Sequence, residues 1–140
     1  MESTLASSTH WNRSGTGART IAYWIVTALF SLEMSFTAYY ELTRQGAEAF
    51  VRLGFPDSFF RVELSVAKLA GVFVLLIPGI PARVKEWAYA GFAINLVSAL
   101  ITHLALGQGP AFWAPSAITS CLWVASYLLW RSGGARTSVA

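Results

Sequence analysis

"WAYAGFAINLVSALITHLALGQGPAFWAPSAITSCLWVASYLLW", Trp87 to Trp130, runs for 44 residues without an Asp, Glu, Lys or Arg. About 20 apolar residues cross a bilayer once, so this stretch is long enough for two crossings and a turn. The turn is written into it as "LGQGP", Leu106–Pro110. The rest of the chain agrees. Of its 140 residues 55% are hydrophobic, 14% aromatic and only 12% charged, against roughly 25% charged in soluble domains. Hydrocarbon is the solvent this composition suits.

Working outward, four spans are expected: Thr20–Tyr40, Val62–Ile80, Trp87–Leu106 and Ala114–Trp130. Runs of this length without period-2 alternation predict helices, not barrel strands. Pro78 and Pro81 end the second span, and Pro115 is placed in the first turn of the fourth, where a missing N–H does no harm. Basic residues in short flanks set orientation. Arg13 and Arg19, Arg83 and Lys85, and Arg131 and Arg136 belong to three segments that share a side under an even span count. Arg44, Arg52 and Arg61 weaken the contrast, but the third-to-fourth connection has no Lys or Arg. The expected fold is an all-α bundle of four transmembrane helices over residues 20–131, both termini cytoplasmic, with a disordered tail at 1–19 and a short one at 132–140. "GAEAF" loosely resembles a signal-peptidase site, but the preceding run is too long and holds Glu33, so no cleavage is expected. The net charge of +3 fits placement at an anionic leaflet and calls for no nucleic acid.

Chemistry should concentrate at polar groups deep in the spans. Glu33 lies ~10 Å and Lys68 ~9 Å below the same side of the bilayer at 1.5 Å per residue. An isolated charge there costs a few kcal/mol, so Lys68 is expected to face Glu33 or, as a second choice, Glu63. Gly91, Asn95, Ser98 and Thr102 recur at helical spacing, with His103 beside them. Phe30, Glu33, Thr37 and Tyr40 share a face of the first span, and Ser116, Ser120, Trp123 and Tyr127 a face of the fourth. Convergence of these faces would create an aromatic-walled site with Glu33, Lys68, Asn95 and His103 as polar groups and Phe30, Thr37, Tyr40, Ser98, Trp123 and Tyr127 as lining. It would suit a flat lipophilic molecule with one or two oxygens. The plainer readings are a structural ion pair and hydrogen bonding between helices.

Cys121 is the one cysteine, which leaves no intramolecular disulfide or cysteine metal site, and it reads as a small packing residue. His10 and His103 stand far apart, with no histidine metal motif, and no phosphate loop or nucleophile elbow occurs. No metal is expected and no cofactor is evident.

"LGFP" (Leu53–Pro56), "AKLAGVFVLLIPGIPARVKEWAYAGFAI" (Ala67–Ile94) and "ALITHLALG" (Ala99–Gly107) together resemble the DoxX-like family of small bacterial four-helix membrane proteins. The resemblance implies a multi-pass protein of the bacterial inner membrane. The family takes its name from a small subunit of a thiosulfate:quinone oxidoreductase, which implies a place beside quinones or within a membrane redox complex. It carries over no catalytic residue. The functional expectation is a protein that binds a quinone-like molecule or serves as an accessory subunit, with redox-complex subunits or further copies of itself as partners. The alternatives are an enzyme doing acid–base chemistry on a lipophilic substrate, with Glu33 or His103 moving protons, and a small transporter.

Overall fold

The computed structural model describes residues 5–55 and 58–133, with side chains from Gly15 onward. Among the described residues the chain is all helical: α1 (Leu5–Leu42), α2 (Arg44–Arg52), α3 (Ser58–Leu76), α4 (Ala82–Ala105) and α5 (Pro110–Arg131). Three helices are long and apolar enough to cross a membrane: Gly15–Leu42 within α1, α4 and α5. α3 has 19 residues, but Arg61, Glu63 and Lys68 break its apolar run.

α1 packs on α3 and α5, and α4 packs on α5 and α3. The four long helices thus close a ring in the order α1, α3, α4, α5, with α2 laid against α1. The tail expected at 1–19 is helical from Leu5 onward; once a long span has nucleated a helix, each further residue is cheap to add. Most of the expected 132–140 tail lies outside the described residues.

The turn between α3 and α4 is "IPGIP", Ile77–Pro81, with Gly79 at φ +84°, a conformation that costs glycine nothing. At this hinge end of the bundle the core is dense. Phe30, Met34, Val72, Leu75, Tyr89, Phe92 and Leu96 are buried together, and α5 adds Leu122, Trp123, Tyr127 and Trp130. Lipid is as apolar as leucine, so helices associate through close packing and polar contacts. Ser126 Oγ lies 2.7 Å from both Thr27 Oγ1 and Tyr89 Oη, joining α1, α4 and α5. Trp123 Nε1 donates to the Tyr89 carbonyl at 3.0 Å.

Lys85, in the first turn of α4, is 4% exposed, and its Nζ donates to the Leu75 carbonyl at 3.3 Å. The short hinge lays the first turn of α4 over the end of α3, where unpaired carbonyls attract a cation. Beside it, Arg131 and Glu86 form an exposed pair at 3.1 Å. Cys121 is exposed on the outside of α5 and fills no gap in the core.

α3 and α4 approach closely at Gly71. A Cβ there would meet the Phe92 ring at 2.8 Å, and that ring stands edge-on against Phe30 with centroids 5.0 Å apart. On helix propensity alone alanine should stabilise α3 by about 1 kcal/mol. Overpacking reverses the sign, so Gly71→Ala is expected to destabilise the bundle by about 1–3 kcal/mol, read as a lower melting temperature in detergent. An unchanged or higher value would show that Phe92 can give way.

Candidate functional site

The opposite end of the bundle is looser, because a different set of residues closes it. Thr43 separates α1 from α2: its Oγ1 donates to the Tyr40 carbonyl at 2.6 Å and accepts from the Gly46 N–H at 3.2 Å, capping α2. α2 turns Arg44, Gln45, Glu48 and Arg52 outward, while Ala49 and Phe50 face a cavity beneath it. The following turn and the start of α3 add Phe55 and Phe60, stacked with centroids 5.4 Å apart. A separate α2 was not expected from the sequence.

The cavity has a volume of about 530 Å³ and is lined from all five helices. This is a common size for small-molecule sites. Met34 and Leu96 form its floor, where the dense core begins. α1 contributes Glu33, Thr37, Tyr40 and Glu41; α3 contributes Leu64 and Lys68; α4 contributes Asn95, Ser98, Ala99, Thr102 and His103; α5 contributes Pro115, Ser116 and Thr119.

The expected polar quartet of Glu33, Lys68, Asn95 and His103 lines this one cavity, as do Thr37, Tyr40 and Ser98. Phe30 does not; it is fully buried in the core below. Trp123 and Tyr127 stand elsewhere too, stacked on each other at 5.6 Å in a cluster with Tyr89 and Trp130 at the hinge end. α5 begins at Pro110, not Ala114, and its early turns present Pro115, Ser116 and Thr119 to the cavity. Trp123 and Tyr127 follow about two and three turns beyond Ser116.

The partner of Lys68 differs from both expectations. Lys68 Nζ is ion-paired with Glu41 Oε1, and the side chains are 7% and 10% exposed. Ser65 Oγ donates to Glu41 Oε2 at 3.0 Å, and Arg61 donates to the Glu41 backbone carbonyl. Glu63, the second choice, is exposed. Glu41 escaped notice because the apolar run stops at Tyr40, one residue before it. Helical arithmetic holds the signal: Glu33, Thr37 and Glu41 are spaced by four and share a face.

With Lys68 committed to Glu41, Glu33 has no cation at ion-pair distance among the described residues. Its Oε1 accepts from Thr119 Oγ1 at 2.8 Å, a hydroxyl that also reaches the Pro115 carbonyl at 2.9 Å. His103 Nδ1 lies against Gln108 Oε1. Thr37 donates to the Met34 carbonyl at 3.0 Å and Thr102 to the Ser98 carbonyl at 2.8 Å. Among the described residues the polar stripe of α4 therefore makes no hydrogen bond to a neighbouring helix. Asn95, half-buried, makes no side-chain hydrogen bond among the described residues. Its amide has two donors and an acceptor to offer an occupant of the cavity.

A model of the DoxX-like family matches residues 25–126, from α1 to most of α5. Set against curated proteins and against solved structures, the chain finds no match. The family and the three apolar helices mark a multi-pass membrane protein.

Proposed function

Because this chain belongs to the DoxX-like family, we propose that it is a four-span protein of the bacterial inner membrane, both ends cytoplasmic, that binds a lipophilic small molecule in the cavity beneath α2. α3 serves as the fourth span. Its 19 residues reach about 28 Å at 1.5 Å per residue. Burial of Lys68 against Glu41 and the bond from Arg61 to the end of α1 support its passage through lipid, since intramembrane charges are tolerated when they point into the bundle.

The observation that carries the binding role is the cavity of about 530 Å³. Apolar and aromatic groups supply most of its wall, and Asn95 supplies hydrogen-bonding capacity that no other described side chain uses. A quinone is the first ligand to try: its ring suits the Phe50, Phe55 and Phe60 side of the wall, and its oxygens suit the Asn95 amide. The same site would serve an accessory subunit holding quinone for a redox complex.

Binding of a fluorescent short-chain quinone analogue to purified protein in nanodiscs tests the reading. Wild type should bind saturably. Ala99→Phe, which fills the cavity from its wall, should abolish binding with the melting temperature retained, and Asn95→Ala should weaken it by about fivefold to tenfold, the range for one hydrogen bond of about 1–1.4 kcal/mol. Equal binding by wild type and Ala99→Phe would place any quinone outside the cavity. The enzymatic alternative draws on Glu33, a carboxylate in the same cavity without a cation. Recovery of chemically altered ligand after incubation would favour it; recovery of unchanged ligand favours binding alone.

A further inference from the structure

We infer that the cavity takes a lipophilic cation, a hydrophobic amine or onium ion, with its charge held at Glu33. This rests on the reading of the cavity as a small-molecule site and names the class of ligand it would take. Two carboxylates, Glu33 and Glu41, face the space against one ammonium, Lys68. Lys68 and Glu41 neutralise each other, and Ser65 completes the pair. Glu33 is left with one shared hydroxyl donor, Thr119, and no cation at ion-pair distance among the described residues. Glu33 is half-buried at the cavity wall, where an opposite charge brought beside a carboxylate is attracted more strongly than in bulk water.

No other described side chain is placed to supply that charge. His103 is engaged with Gln108, and Arg61 is bonded to the Glu41 backbone. Arg44 and Arg52 lie outside, each against Glu48 at 3.7 and 3.9 Å. A cation carried by the ligand would fill that place. The rest of the wall suits an onium ion: Tyr40, Phe50 and Phe60 line the same cavity, and aromatic faces attract cations within about 6 Å. A quinone offers acceptor oxygens only, so it can meet Asn95 but gives nothing to a carboxylate at Glu33.

The test is equilibrium binding of radiolabelled tetraphenylphosphonium to the full chain in nanodiscs, beside the quinone analogue. Wild type should bind the cation saturably. Glu33→Gln keeps the shape and an acceptor for Thr119 but removes the charge, and should weaken cation binding at least tenfold. Glu33→Asp keeps the charge and should stay within about threefold of wild type. Melting temperatures of both variants near wild type confirm folding. Equal cation affinity in wild type and Glu33→Gln overturns the inference. Quinone binding without cation binding overturns it and leaves the cavity reading standing. Binding of neither probe overturns both.

Discussion

Lys68→Met is expected to destabilise the bundle by about 3–5 kcal/mol, because it removes one partner of a buried ion pair and strands the other. The side chains of Lys68 and Glu41 are 7% and 10% exposed. Without Lys68, the Ser65 hydroxyl is the one side-chain donor left to the Glu41 carboxylate among the described residues. Glu41→Leu should do comparable harm from the other side by leaving a buried ammonium without its carboxylate. The informative variant is the double substitution. Two apolar side chains of similar volume need no counterpart, and replacing a whole buried pair is often neutral. Lys68→Met with Glu41→Leu should therefore recover most of the loss, with a coupling energy of about 2 kcal/mol or more. Thermal unfolding of the four proteins in one detergent measures it. If the two single losses simply add in the double variant, the pair is not the joint between α1 and α3 that its geometry indicates.

That pair also marks where the sequence stopped being legible. Helical class follows from long runs with little or no charge, a property averaged over 20 positions or more. Of the four spans expected, those in α1, α4 and α5 are apolar enough to cross a membrane, while Arg61, Glu63 and Lys68 interrupt α3. Membership of one cavity by Glu33, Lys68, Asn95 and His103 was legible because intramembrane polar groups have nowhere to point but inward. Pairing was not, since it depends on a single turn of helix. Glu41 sits one residue beyond the apolar run of α1, and the helix continues to Leu42 regardless. On α5 depth decided the outcome: Trp123 and Tyr127 lie about two and three turns beyond Ser116 on the same face, so they join the hinge-end core while Ser116 and Thr119 reach the cavity. α2 escaped because "RQGAEAFVR" is short and polar, which also describes a loop; only its packing on α1 settles its conformation.

Gly46→Ala is expected to lift α2 from the cavity, and the sign of its effect is the test. Alanine is the best helix former, and a Gly-to-Ala change inside an unobstructed helix stabilises by about 1 kcal/mol. Gly46 is obstructed. A Cβ built there would lie 2.2 Å from the Tyr40 carbonyl oxygen and 2.8 Å from Glu41 Cα. Both are backbone atoms of α1, and no rotamer change can move them. The Thr43 cap makes matters worse, since its bond to the Gly46 N–H at 3.2 Å holds the two helices at that spacing. The cheapest escape is displacement of α2 by an ångström or more, carrying Ala49 and Phe50 away from the cavity. The ion pair below is anchored through α1 and α3, so the bundle should survive with a loss of about 1–3 kcal/mol. Ligand affinity should fall by tenfold or more because one wall has moved. Gly46→Ala should thus uncouple two readouts, a modest drop in melting temperature and a large drop in binding of the cavity probe. Retention of full binding would mean that α2 is no part of the site's wall, and a rise in melting temperature would mean that the contact with Tyr40 is not there.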